Sequence, residues 1–179
     1  MIRLDDRVWI LWAVFILLLP VKWLLSAAAA ACIHECCHIA ALWLLGGKIR
    51  DISLDPFGAV IETEGISDWK EILCAMVGPL GSISGVLFIR RFPVFALCAL
   101  VQGVFNLLPV YPMDGGRALR GILHRVCPKQ AECICKWVQI VTYGSLLFAG
   151  IWISAGYFGK FWPFLLCLLT ALSRKIELA

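Results

Sequence analysis

The sequence predicts an all-α membrane protein of about six transmembrane helices, with a short membrane-associated β-hairpin at 48–64 between helices two and three. Two observations carry this. Hydrophobic residues make up 61% of the 179 positions and charged residues only 16%, with a mean hydropathy of +0.89, beyond the range of ordinary soluble domains. The apolar positions also gather into runs long enough to cross a bilayer, which takes about 20 residues as helix, and these runs leave little length for a separate soluble domain.

The runs fall near 8–25, 27–45, 71–89, 92–110, 137–156 and 161–173, the last one short. The first, followed by Ser26 and an alanine stretch, has the outline of a secretory leader, but Asp5 and Asp6 beside Arg3 and Arg7 make a poor positive n-region. Between the second and third runs, 48–64 alternates polar residues with Ile, Leu and Val around Pro56-Phe57-Gly58, the pattern of paired extended strands. After the fourth, Arg117 to Arg125 spaces basic residues and Ile/Leu as in a short interfacial helix, with Arg117 facing lipid phosphate or the Asp114 loop and His124 at the surface.

With the N-terminus inside, 12 of the 16 Lys and Arg residues fall on the cytoplasmic side and 4 on the other, so both termini are expected in the cytoplasm. Arg90 and Arg91 oppose that assignment. Nothing suggests nucleic-acid binding, since no basic run or recognition motif is present. The nine cysteines are an odd number lying mostly in apolar runs, where Cys acts as a small hydrophobe, so no disulfide framework is expected. Cys127, Cys133 and Cys135 lack paired metal-ligand spacing and read as reduced thiols.

The second run contains His34-Glu35-Cys36-Cys37-His38. Two histidines four residues apart share a helix face and can present both imidazoles to one Zn²⁺, with the intervening Glu placed to act on water at the metal. An ionisable cluster inside a membrane is costly unless it is partnered. A catalytic zinc needs a third protein ligand and an open fourth position, and Asp114 is the best remaining candidate. It follows Pro109 and Pro112 and precedes Gly115 and Gly116, in chain expected to be irregular and to line a cavity. A turn or helix-capping role is the other reading of that Asp. Cys37, three residues from His34, is within reach of the same metal but reads as packing.

Together, His34-Glu35-Cys36-Cys37-His38 and Asn106-Leu107-Leu108-Pro109-Val110-Tyr111-Pro112-Met113-Asp114-Gly115 resemble the two signature motifs of the site-2 protease family of intramembrane zinc metalloproteases. Gly78-Pro79-Leu80-Gly81-Ser82 resembles the Gly-rich segment carried between them, although helix packing would explain it equally well. The plan is most similar to the compact sporulation-type bacterial branch.

The resemblance implies one Zn²⁺ per chain held by His34, His38 and Asp114, Glu35 as general base, and Asn106 as a substrate or oxyanion contact. It implies a membrane-protein substrate with a transmembrane segment, unfolded against the hairpin, and a location in the bacterial cytoplasmic membrane. Residues 1–179 are expected to form one integral-membrane domain without a PDZ or C-terminal nucleotide-sensing domain, so that regulation through such a domain is absent or resides on another protein. Two other classes share these residues. One is a catalytically silent scaffold of the same fold, against which stand the four intact chemical positions. The other is a zinc transporter, which needs acidic or His residues through several spans, and spans one, five and six offer none.

Overall fold

The computed structural model describes residues 2–4, 19–55, 58–64 and 67–156. The expected sixth span and most of the first lie outside the described residues. Helix α1 spans Val21–Leu44, α2 Asp68–Ser84, α3 Pro93–Asn106, α4 Asp114–Val126 and α5 Ala131–Gly156, with a 3-10 turn at Gly85–Phe88 continuing α2. Strands β1 (Ile2–Leu4), β2 (Lys48–Asp55) and β3 (Gly58–Glu64) form a sheet in that order, β1 parallel and β3 antiparallel to β2, with a register irregularity between Ile49 and Asp51. Among the described residues, α1, the α2 segment through Phe88, and α5 as far as Trp152 are long and apolar enough to cross a membrane; α3 is a shorter apolar helix. The protein is therefore a predominantly helical integral membrane protein.

The helix boundaries correct the sequence expectation in three places. The second run begins at Val21, not Ala27, because the break is at Pro20, which precedes the first helical turn and has no N–H to give to a preceding one. Ser26 and the following alanines then lie within a continuous helix, as Ala's high helix propensity favours. The run expected at 92–110 stops being helical after Asn106, before Pro109 and Pro112. The run expected from 137 starts instead at Ala131, as Glu132 and Lys136 are accommodated in an opening turn outside the apolar part.

Helix α1 packs against α2 and α3, and α2 also contacts α3 and α4, so α2 lies at the centre of the described bundle. The arrangement inverts that of a soluble protein. On α1 the buried residues are Ala30, His34, His38, Ala41 and Leu42, while Leu25, Trp43 and Leu44 are exposed. Where the surroundings are hydrocarbon, large apolar side chains have no need of the interior, and small residues let backbones approach while polar groups turn inward. Glycines make that approach possible: a Cβ on Gly103 of α3 would press on the Pro79 carbonyl and Ile83 of α2, and one on Gly85 would meet Ala99.

The exit from α1 is fixed by Gly46, whose φ of 75° closes the helix while the Gly47 N–H bonds to the Leu42 carbonyl at 3.0 Å. Lys70 of α2 donates to the Leu45 carbonyl at 2.8 Å, tying the end of α1 to the start of its neighbour.

Candidate metal centre

Residues from two helices meet beside the middle of α2. His34 and His38 come from α1, one turn apart, with ring centroids 4.7 Å apart and planes at 84°. Asp114 is the first residue of α4. All three are buried, at 3%, 7% and 7% exposure, in a chain where most ionisable groups face outward.

The irregular chain expected around Asp114 is 107–113, and Asp114 itself starts a helix, where a carboxylate is favoured by the backbone dipole. Gly115 and Gly116 make this possible. A Cβ on Gly115 would fall on the Leu107 carbonyl, and one on Gly116 on the Val110–Tyr111 peptide, so the 107–113 loop folds directly over the first turn of α4. Buried Val110 and Met113 hold it there.

The three ligand atoms form a nearly equilateral triangle. Asp114 Oδ2 lies 3.1 Å from His34 Nε2 and 3.1 Å from His38 Nε2, and the two nitrogens are 3.2 Å apart. His38 Nδ1 donates to the Cys74 carbonyl at 2.9 Å. A carbonyl can only accept, so this bond places the neutral ring's proton on Nδ1 and leaves Nε2 as a lone pair. In that tautomer a bare nitrogen points at a carboxylate oxygen and at a second imidazole nitrogen, an arrangement that a cation between them would satisfy.

The spacing supports a cation in that role. Four ligands about 2.0–2.1 Å from a tetrahedral zinc are separated by about 3.3 Å, close to the three edges seen here. Two imidazoles and one carboxylate are also a donor set that zinc accepts while keeping a fourth position open. Among the described residues, His34, His38 and Asp114 are the group able to converge on one ion. The residues present fit the metal.

Glu35 follows His34 on α1 and is half-buried. Asn106 is the last residue of α3, half-buried, its side-chain amide donating to the Gln102 carbonyl at 3.2 Å in its own helix. Cys37 is half-buried against Gly81, where a Cβ would fall on its sulfur. Arg117 reaches toward the Asp114 loop, Nη1 standing 3.9 Å from Asp114 Oδ1, the carboxylate oxygen that faces away from the histidines, and Nη2 3.9 Å from Glu71. His124 donates to Glu132 at 2.9 Å on the exposed side of α4. The eight described cysteines are all free thiols.

Two parts of the site were not read from the sequence. Ser82, 1% exposed, places its hydroxyl 2.9 Å from His34 Nδ1. The Cys74 carbonyl holds His38, a contact that leaves no trace in residue type. The Gly78–Ser82 segment, for which packing and a direct role were both open, lies against both histidines: a Cβ on Gly78 would fall on the His38 ring itself.

Comparison with known proteins agrees with this geometry. The profile of peptidase family M50 matches residues 81–149, which include the Asp114 loop. A zinc metalloprotease of Methanocaldococcus jannaschii is 35% identical over 130 residues, 65% of this chain and 36% of that protein. Stage IV sporulation protein FB of Bacillus subtilis is 29% identical over 167 residues, 78% of this chain and 58% of that protein. The chain thus spans between about a third and somewhat over half of the length of these relatives. The solved site-2 protease from Methanocaldococcus jannaschii shares the fold, with a TM-score of 0.68 at 23% identity, over 93% of this chain and 85% of that one. Over residues 81–149 the chain is thus similar to peptidase family M50, and it shares its fold with a solved site-2 protease.

Proposed function

We propose that the protein is a zinc metalloendopeptidase that cleaves a transmembrane segment of another membrane protein within the bilayer. The observation that supports this best is the buried triangle of His34 Nε2, His38 Nε2 and Asp114 Oδ2, assembled from helices 76 to 80 residues apart in sequence. The names of the zinc metalloprotease relatives point the same way.

In this reading His34, His38 and Asp114 hold one zinc per chain. Zinc, when bound, supplies Lewis-acid activation of water and polarisation of the scissile carbonyl. Glu35, one residue from a ligand, takes the proton from the attacking water and passes it to the leaving amine. Asn106, where α3 gives way to the 107–113 loop, holds the substrate backbone or the developing oxyanion. Arg117 tempers the outer oxygen of Asp114, leaving Oδ2 for the metal.

A helical substrate hides its peptide bonds in internal hydrogen bonds, so cleavage requires an extended stretch. The hairpin of β2 and β3 is suited to this: β3 is an edge of its sheet, and a substrate strand adding along it would be held open. The protein would have six spans, with both termini and the mouth of the site on the cytoplasmic side of a bacterial membrane. Residues 1–179 would act as one catalytic domain.

The test is cleavage of single-span membrane substrates by the purified protein in lipid. The wild type should carry about one zinc and cleave, and Glu35→Gln should keep its zinc while cleavage falls roughly 100- to 10,000-fold, the range for a positioned general base. Undiminished cleavage by Glu35→Gln would refute the role of Glu35. Zinc binding without cleavage of any substrate by the wild type would favour the silent scaffold.

A further inference from the structure

Helices α1 and α2 meet through two matched pairs of residues. On α1 the histidines are four apart; on α2 Gly78 and Ser82 are four apart, and the pairing runs in opposite sequence directions, His34 with Ser82 and His38 with Gly78 and Cys74. One turn of α2 thus addresses both rings: Gly78 leaves the space that the His38 imidazole fills, and Ser82 meets the far nitrogen of His34.

We infer that Ser82 is a positioning residue of the metal site, its hydroxyl accepting the Nδ1 proton of His34 so that Nε2 is presented to the metal as a lone pair. The inference rests on the zinc reading above. Three observations support it. Ser82 is 1% exposed, and a hydroxyl so deeply buried is costly without a partner. Its Oγ lies 2.9 Å from Nδ1, hydrogen-bond distance, on the side of the ring opposite Asp114. The other ligand shows the same construction, since His38 Nδ1 is held at the same 2.9 Å by the Cys74 carbonyl.

Metal-bound histidines generally donate their second ring N–H to such a partner, which fixes both tautomer and ring orientation. The two anchors differ in one respect. That of His38 is backbone and survives any substitution at Cys74, whereas that of His34 is a side chain and is removed by deleting one oxygen. Ser84, two residues on, is the internal contrast: it is exposed and bonds only the Gly81 carbonyl of its own helix, at 2.6 Å.

The experiment is zinc affinity of metal-stripped protein by chelator competition, together with the absorption spectrum of the Co²⁺ form. Ser82→Ala should weaken zinc binding about 10- to 100-fold, as loss of a ligand's hydrogen-bond partner does elsewhere, and should shift the Co²⁺ ligand-field bands. Ser84→Ala should bind zinc as the wild type does. The pair Ser82→Thr and Ser82→Val, equal in shape and differing in the hydroxyl, provides the decision if the alanine variant fails to fold: Thr should bind zinc at least about 10-fold more tightly than Val. Equal affinities within either comparison would overturn the role of Ser82 while leaving the zinc reading intact. A wild type that binds no zinc would overturn both.

Discussion

Two carboxylates in this protein each gather a histidine and a second basic group, and their difference shows what makes a metal site. Asp114 lies between His34 and His38, all three buried. Glu132, at the start of α5, accepts from Arg120 at 2.6 Å and His124 at 2.9 Å, and all three are exposed. In the surface cluster the guanidinium supplies permanent positive charge, water supplies the rest, and the geometry is complete as it stands. The buried cluster brings three possible electron-pair donors within 3.2 Å of one another, and the guanidinium of Arg117 stands 3.9 Å from the outer oxygen of Asp114. Proximity is the same in the two clusters. Burial and charge balance differ, and they separate a site built to receive a cation from an ion pair that carries one.

The largest expected effect comes from breaking the buried member. Asp114→Ala should leave two imidazoles without their anion, and zinc content should drop from about one per chain toward zero with loss of cleavage, as metal analysis after dialysis would show. Undiminished zinc would place the third ligand elsewhere. Next is Gly78→Ala, which changes no ligand but puts a methyl where the His38 ring sits. Overpacking of this kind costs about 1–3 kcal/mol, so zinc affinity should fall and the melting temperature with it; unaltered binding would mean that the α1–α2 spacing relaxes freely. The smallest effect belongs to the surface cluster: Glu132→Gln should change neither zinc content nor cleavage, since exposed ion pairs are screened and replaced by water. A loss of zinc there would erase the distinction between the two clusters.

The chemical residues were legible in the sequence because their types are rare in membrane spans. His34 and His38 stand at a spacing that a helix converts into a shared face, and Asp114 follows a proline-broken stretch where a turn or helix cap is its other reading. Their supports were much less legible. Cys74 contributes its carbonyl, which every residue possesses, and Ser82 and Gly78 resemble ordinary small residues of a packed helix until the opposite rings are in place. The boundaries of the apolar runs were also blurred, because hydropathy does not register the missing N–H of Pro20 or the turn imposed by the 107–113 loop. Residue type and spacing therefore point to the groups that converge, and only packing reveals what holds them.

The central claim is that a single zinc sits on His34, His38 and Asp114. X-ray absorption at the zinc edge of the purified protein tests it most directly. The account predicts a shell of nitrogen and oxygen at about 2.0–2.1 Å with the scattering pattern of two imidazoles and no sulfur. A sulfur shell at about 2.3 Å would bring in a thiolate such as Cys37 and contradict the assignment.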